Sequence, residues 1–305
     1  MTLASDCQKF LRILSMGGAA SAADIAAQRE NFRKLLSVAA GPVPQNVGTE
    51  DRIIEANGAG LRLRLYRRAD LAGRNLPTCV FFHGGGFIAG SIETHDGICR
   101  TLADASGWQI VAVDYRLAPE HRYPAPIDDG LAVLDAIDKS PGDYSALAGR
   151  MAVAGDSVGA GLAGYLAQQW HARGRSPLAL QVMLCPALDP RPRFASRKTL
   201  ARGYYIEDRM IEADFAAYRG ALETVPTVFE VGSLSGLPPA IIHVAEYDPF
   251  CDEGVAYADA LEVAGVLVKL VRHAGMLHLF HAFSRFIPAG ADALRQIGGE
   301  MKTFG

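Results

Sequence analysis

Ser157 has the sequence surroundings of a catalytic nucleophile. It stands in residues 155–159, Gly-Asp-Ser-Val-Gly, which follow the apolar run 151–154 and precede a helical pattern. In this G-x-S-x-G motif a tight strand-to-helix turn exposes the serine hydroxyl, and glycine fits the crowded positions two before and two after it. The N–H groups at the start of the following helix then face any developing anion. We therefore predict that Ser157 is a nucleophile.

A second glycine-rich segment, residues 83–86 (His-Gly-Gly-Gly), comes directly after the apolar run 80–82. Consecutive glycines after a strand indicate that the backbone approaches another group closely. The tetrahedral intermediate of an acyl transfer carries an oxyanion, which preorganised N–H donors stabilise. We expect Gly84, Gly85 and Val158 to donate these N–H groups, and His83 to hold the loop by hydrogen bonding.

A nucleophilic serine needs a general base and an acid that orients the base. With this motif the partners follow in the chain order Ser, Asp or Glu, His. Asp248 comes just after the apolar run 240–245, and His278 lies just past a strand pattern that ends near His273. Carboxyl ends of parallel strands gather site residues at one edge of a sheet. We predict that His278 is the base and that Asp248 orients it.

Three neighbours of these residues remain alternatives. Asp252 lies one helical turn after Asp248, where it could instead cap a helix or form a salt bridge. His273 and His281 flank His278; the first closes the strand, and the second is expected to face along the next helix. We assign surface or packing roles to the other histidines considered, His95, His121, His171 and His243.

Short apolar runs alternate with helical patterns along much of the chain. Such runs are typical of strands buried on both faces, and the alternation predicts an α/β fold with a mostly parallel sheet between helices. Two earlier strands, 52–56 and 61–66, are separated by glycines and predict an antiparallel hairpin. The predicted buried strands are 78–82, 109–113, 151–154, 178–184, 240–245 and 266–271, with helices at about 95–106, 126–139, 158–173 and 251–264.

Two segments fall outside this alternation. Residues 1–45 predict two helices that end at a Gly-Pro-Val-Pro stretch, and we interpret them as a helical cap, although a strap packed on the core is equally compatible. Residues 46–305 form the predicted catalytic domain. Within it, 188–236 has no clear strand and one predicted helix near 207–218, which is typical of an insertion over a site and predicts a second cap segment.

Composition excludes several classes of protein. The chain has 305 residues, of which 50% are hydrophobic and 21% are charged, and its formal net charge is -3. It therefore lacks the basic excess of a nucleic-acid-binding protein. No apolar run is long enough to span a membrane or intact enough for a secretory signal, and we expect a cytoplasmic protein. The cysteines are odd in number and widely spaced, which predicts buried free thiols and no zinc site: Cys7, Cys79, Cys99, Cys185 and Cys251.

One motif favours a different enzyme. Residues 159–164, Gly-Ala-Gly-Leu-Ala-Gly, fit the G-x-G-x-x-G dinucleotide fingerprint, and Asp189 follows at a suitable distance. However, the strand-to-helix turn is already occupied by residues 155–157, so the match falls inside the helix. There, small residues are better explained by close packing of the helix on the sheet. We therefore expect neither a dinucleotide nor another cofactor.

Taken together, these motifs resemble those of the hormone-sensitive-lipase-like esterases, also called the bacterial type IV group. The resemblance spans about 77–283 and keeps the order of the family's motifs. They are 83–87 (HGGGF), 114–121 (DYRLAPEH), 155–159 (GDSVG), 248–250 (DPF), 252–254 (DEG), 264–266 (AGV) and 275–278 (GMLH).

The resemblance implies an α/β-hydrolase fold with a twisted, mostly parallel eight-stranded sheet and a helical cap built partly from the N-terminus. It implies a carboxylesterase that acts on short- to medium-chain acyl esters and needs no metal or cofactor. Many members are dimers, so a homodimer is compatible with it. The implied roles are a catalytic triad of Ser157, Asp248 and His278, oxyanion donors Gly84, Gly85 and Val158, and structural residues Tyr115, Arg116 and Glu120 near the loop.

Two residues depart from the family pattern. Val158 stands where the family usually has alanine, and its branched side chain could narrow the acyl pocket. Leu279 stands where glycine is common, which could alter the histidine loop or its contact with the cap. A non-catalytic ligand receptor on the same fold remains an alternative, but such relatives typically lose the histidine that is present here as His278.

Overall fold

A computed structural model describes residues 2–16, 24–230 and 232–304 of the chain. Within them, eight strands form one sheet in the order β1-β2-β4-β3-β5-β6-β7-β8. The strands are β1 Val47–Ala56, β2 Ala59–Arg68, β3 Leu76–Phe82, β4 Gln109–Val113, β5 Ala146–Asp156, β6 Leu180–Leu184, β7 Ala240–Tyr247 and β8 Val268–Leu277. The eight-stranded, mostly parallel sheet is therefore confirmed.

The α-helices of the described chain cover the sheet and fill the long segment between β6 and β7. They are α1 Ser5–Met16, α2 Ile25–Ala39, α3 Asp96–Ser106, α4 Ala125–Lys139, α5 Val158–Ala172, α6 Ala195–Thr199, α7 Asp208–Arg219, α8 Cys251–Val263 and α9 Ala289–Met301. Each predicted helix is present, with bounds that shift by a few residues. The sequence interpretation did not include α6 or α9.

The sheet begins with an antiparallel hairpin, as predicted. β1 pairs with β2, and β2 pairs antiparallel with β4, whereas all later neighbours are parallel. Leu61, Leu63 and Leu65 are buried and alternate with less buried residues, because successive side chains of a strand point to opposite faces. The hairpin turns at Asn57 and Gly58, both of which have positive φ angles.

The central parallel strands bring the predicted site residues to one edge of the sheet. β5, β6, β7 and β8 are successive neighbours, and every residue of β6 is buried. Ser157 directly follows β5, Asp248 directly follows β7, and His278 directly follows β8. Since parallel strands end at the same edge, the three side chains meet although they are far apart in sequence.

The N-terminal segment packs against the edge that carries the site. In α1, Phe10 is buried against Phe283, with ring centroids 4.5 Å apart. In α2, Arg29 donates hydrogen bonds to the carbonyl oxygens of Ile88 and Ala118 and pairs with Glu120. Residues 1 and 17–23 of the predicted cap and residue 231 of the second segment lie outside the described residues. The cap function of both segments stays a prediction.

No helix in the described ranges is both long and apolar enough to cross a membrane.

Candidate active site

Ser157, His278 and Asp248 form a continuous hydrogen-bonded chain. His278 Nε2 lies 3.0 Å from Ser157 Oγ, and His278 Nδ1 lies 2.7 Å from Asp248 Oδ2. The other carboxylate oxygen, Asp248 Oδ1, accepts the N–H of Phe250, whose ring also meets the edge of the imidazole. All three members are buried, so water competes little for these bonds.

The turn that presents Ser157 is held in a strained conformation. Ser157 has φ 54° and ψ −125°, and its backbone N–H donates to Leu184 O while its carbonyl accepts the N–H of Ala187. These bonds fix the turn to the end of β6, which compensates for the strain. The glycines on either side are required, because a Cβ at Gly155 would overlap the backbone of Gly159, and one at Gly159 would overlap Phe82 O.

The glycine loop after β3 passes beside Ser157, but one of its N–H groups is engaged elsewhere. Gly84 N–H donates to Asp156 Oδ1 at 3.0 Å. That N–H is already bonded to a buried carboxylate in this structure, which argues against the expected role of Gly84 as an oxyanion donor. Gly85 and Gly86 lie outside the helices and strands, and no backbone oxygen of the described chain accepts a hydrogen bond from either N–H group. Val158 is the first residue of α5, so its N–H lacks an intrahelical acceptor.

Asp156 is the centre of a buried polar cluster beneath the loop. Besides Gly84 N–H, its carboxylate lies 3.2 Å from His95 Nε2 and 3.8 Å from His281 Nε2. Burial would raise the pKa of Asp156, but the charges and hydrogen bonds of the two histidines outweigh it and lower the pKa below its usual value. The sequence interpretation missed this cluster; the only signal was an acidic residue inside the nucleophile motif.

His83 holds the loop, as predicted, and the partners of its ring are Gly84 and Tyr115, not Ser157. Its Nδ1 lies 2.9 Å from Gly84 O, and its ring stacks on Tyr115 with centroids 4.3 Å apart. Tyr115 in turn donates its hydroxyl to His83 O at 2.6 Å. Burial and the neighbouring His95 lower the pKa of His83 to about 3, so this imidazole is neutral near neutral pH.

Comparisons with known proteins agree with this geometry. A family model described as an alpha/beta hydrolase fold matches residues 79–282. Carboxylesterase NlhH of Mycobacterium tuberculosis is 38% identical over 226 residues, which are 72% of this chain and 71% of the relative. An ethyl acetate hydrolase of Pseudomonas putida is 33% identical and covers 96% of both chains.

Solved structures give the same result over almost the whole chain. An ester hydrolase from the metagenome of Lake Arreo, in complex with a phosphonate derivative of bipyridine, superposes with a TM-score of 0.93 at 33% identity and covers 99% of both chains. A thermostable esterase from Pseudomonas putida has a TM-score of 0.94 at 31% identity over 99% of this chain and 98% of its own. The chain belongs to the hormone-sensitive-lipase-like family of α/β-hydrolases.

The rival residues of this α/β-hydrolase have other partners. His273 Nε2 lies 2.8 Å from His243 Nδ1, and His243 Nε2 lies 2.9 Å from Glu300 Oε2. His281, which was expected to face along the next helix, is buried beside Asp156. Asp252 Oδ2 accepts the N–H of Ser196 and so ties the segment between β6 and β7 to α8.

The residues that depart from the family pattern are both buried. Val158 packs in a core cluster that also contains Phe87, Phe215 and Phe250. Leu279 has φ 58° and ψ 18°. Glycine adopts this left-handed conformation without strain, whereas leucine does not. The Leu279 side chain is only 3% exposed, so the burial of leucine offsets the backbone strain.

One group of side chains has the spacing of metal ligands. Among the described residues, potential ligand atoms of Cys185, Asp248 and His278 lie within 4.8 Å of one another. Asp248 and His278 already bond to each other, and burial raises the pKa of the Cys185 thiol and disfavours the thiolate that binds metals. This arrangement suits the hydrogen-bonded chain to Ser157 better than an ion. All five cysteines are buried free thiols, as predicted.

The glycines of the dinucleotide-like motif serve packing. The match lies inside α5 and not at a strand-to-helix turn. A Cβ at Gly161 would overlap Ala187 O, and one at Gly164 would overlap the methyl group of Met183. Small residues are thus needed for α5 to lie close to its neighbours. Asp189 pairs with Arg191 and Arg193.

Proposed function

We propose that this protein is a carboxylesterase that hydrolyses short- to medium-chain acyl esters through a Ser157–His278–Asp248 triad. The observation that carries the proposal is the pair of hydrogen-bond distances, 3.0 Å from Ser157 Oγ to His278 Nε2 and 2.7 Å from His278 Nδ1 to Asp248 Oδ2. The names of the relatives, which include an ethyl acetate hydrolase, support the substrate class.

In the proposed mechanism, His278 Nε2 accepts the proton of Ser157 as Oγ attacks the ester carbonyl carbon. Asp248 holds the imidazole through Nδ1 and stabilises its protonated form. Collapse of the tetrahedral intermediate breaks the bond to the alcohol oxygen, which takes the proton from His278 Nε2. A water molecule, deprotonated by His278, then attacks the acyl-enzyme, releases the carboxylic acid and restores Ser157.

The oxyanion is stabilised in this proposal by Gly85, Gly86 and Val158. Gly86 replaces Gly84 because the Gly84 N–H donates to Asp156. The bond to Asp156 gives Gly84 a positioning role, since it fixes the loop from which the next two N–H groups point. Residues 1–45 and 188–236 are proposed to cover this site.

The proposal is tested by hydrolysis of p-nitrophenyl esters from acetate to laurate. The variants are Ser157→Ala and, as a control, Ser176→Ala, which removes an exposed hydroxyl outside the site and outside both proposed cap segments. We expect the wild type and the control to turn over short and medium esters, with a loss of several orders of magnitude in Ser157→Ala. No turnover of any ester by the wild type would contradict the proposal and favour a ligand receptor on the same fold.

A further inference from the structure

Helix α7 of the segment between β6 and β7 packs directly on the glycine loop. The ring of Phe87, which follows the last glycine, stacks on Tyr218 with centroids 3.9 Å apart and an interplanar angle of 14°. Phe215 meets the same ring edge-on at 6.3 Å. These aromatic contacts fix the position of α7 relative to the loop that carries the proposed oxyanion donors.

The same helix places the carboxylate of Asp214 against Gly86. A Cβ built on Gly86 would overlap Asp214 Oδ2 and would lie 2.7 Å from Cγ, so the carboxylate covers the Cα of this glycine. Gly86 is one of the three proposed oxyanion donors. Asp214 is therefore adjacent to the place where the ester carbonyl must lie.

Asp214 has no charged or hydrogen-bonding partner in the described part of the chain. Burial is the sole cause that moves its pKa, which rises to about 7, and no cation or N–H donor opposes the rise. A buried carboxylate of this kind is costly unless it is paired. The residue as a whole is half-buried and keeps some exposed surface, so a small molecule can still reach it.

The surroundings of Asp214 are aromatic and acidic. Burial raises the pKa of Tyr205, and the negative charges of Asp156 and Asp214 raise it further. The Tyr205 ring packs edge-on against Phe283 at 5.0 Å. Aromatic faces and a carboxylate are the groups that bind organic ammonium ions.

We propose that Asp214 is a specificity-determining residue that binds a cationic group of the substrate, so that the enzyme prefers esters carrying an ammonium group near the carbonyl over their neutral isosteres. This inference rests on the proposed esterase function. A bound cation would neutralise Asp214 and remove a negative charge from the neighbourhood of the oxyanion. An anionic substrate would instead meet an unpaired carboxylate and be disfavoured.

The test compares two matched pairs of esters. The first pair is butyrylcholine, which carries its charge on the alcohol part, and the neutral isostere in which carbon replaces nitrogen. The second pair is the p-nitrophenyl ester of trimethylammoniobutyrate, which carries its charge on the acyl part, and the neutral isostere in which carbon replaces nitrogen. The readout is the ratio of kcat/KM within each pair, so a change in overall rate cancels.

The variants are Asp214→Asn, Asp214→Ser and the control Glu212→Gln, which removes an exposed carboxylate from the same helix. We expect the wild type and the control to prefer the cationic member of at least one pair by about tenfold or more, as for a charge-assisted contact. We expect that ratio to fall to near unity in both Asp214 variants.

Two results would overturn the inference: no preference for the cation in either pair with the wild type, or a preference that survives both Asp214 variants. Neither result affects the proposed esterase function as long as Ser157-dependent turnover of neutral esters persists. Loss of all ester turnover in the wild type would instead contradict the proposed function itself.

Discussion

Two substitutions of Asp156 distinguish its role as the hydrogen-bond acceptor of the glycine loop from its role as a buried negative charge. Asp156→Ala removes the acceptor of the Gly84 N–H at 3.0 Å and the neighbour of His95 Nε2 at 3.2 Å. Asp156→Asn keeps an oxygen acceptor for Gly84 but removes the charge that faces His95 and His281. If Gly84 is a positioning residue, the two variants must differ in activity.

The expected magnitudes follow from these contacts. Leaving a buried donor without an acceptor costs about 1–3 kcal/mol, and breaking a buried ionic contact costs about 3–5 kcal/mol. We therefore expect Asp156→Ala to lose about 4 kcal/mol of unfolding free energy and roughly 6 °C in Tm. One misplaced oxyanion donor can cost about 100-fold in kcat, so we expect at least about a tenfold loss in kcat for Asp156→Ala and less than about threefold for Asp156→Asn.

The assay is kcat on p-nitrophenyl butyrate, together with thermal unfolding by circular dichroism. Asp129→Ala is the matched control, because Asp129 is also buried and accepts the N–H of Arg116 but lies on α4, outside the site. It should lose stability and keep its kcat. The reasoning is refuted if Asp156→Ala keeps the wild-type kcat, or if Asp156→Asn loses as much activity as Asp156→Ala.

Three further substitutions test other parts of the account. Gly85→Ala introduces a Cβ that overlaps Ala89 O, and Gly85 has a φ of 121°, which alanine adopts only with strain. We expect kcat to fall about 100-fold while circular dichroism shows that the fold is retained. A wild-type kcat in this variant would show that the loop is not part of the site. Leu279→Gly relieves about 1–2 kcal/mol of strain but loses a buried side chain worth about 2–5 kcal/mol, so Tm should fall in calorimetry, and a rise would mean that strain dominates. Asp214 has a pKa of about 7 in the folded state and of about 4 in the unfolded state. Its ionisation therefore lowers the free energy of unfolding as the pH rises from about 4 through 7. Asp214→Asn should therefore gain more Tm relative to the wild type at pH 8.5 than at pH 5, whereas an equal difference at both would show that Asp214 does not titrate in this range.

The fold could be predicted because its signals are local. Short, mostly apolar runs such as β4 and β6, with one glutamine each, are typical of strands buried on both faces, and the glycines of the G-x-S-x-G turn mark a close approach of backbone to backbone. Helix α9 escaped prediction because it contains three glycines, which weaken a helical pattern. At Gly298 the glycine is explained by packing, since a Cβ would overlap Ala105 of α3.

The members of the proposed triad could be identified from the sequence as candidates, whereas their electrostatic surroundings could not. Chain order and strand ends identify Ser157, Asp248 and His278, because the topology of parallel strands gathers them at one edge. Which glycine N–H is free depends on the carboxylate of Asp156, which comes from a strand 72 residues later in the chain. A sequence pattern does not contain that contact.

The contact between Asp214 and Gly86 was equally beyond the sequence. It depends on how α7 docks, and α7 lies in a segment whose path is set by tertiary contacts, such as the bond from Ser196 N–H to Asp252. Residues in such segments carry no periodic signal that relates them to the site. Their roles can be inferred only after the chain is folded.

The central claim is that Ser157 is the nucleophile and that His278 activates it. A p-nitrophenyl alkylphosphonate, which transfers its phosphonyl group to an activated serine, tests both parts by intact-mass and peptide mass spectrometry. We expect one phosphonyl group per chain, on the peptide that contains Ser157, with labelling slowed by orders of magnitude in His278→Gln. A label on another residue, or labelling of Ser157 at the wild-type rate in His278→Gln, would contradict the account.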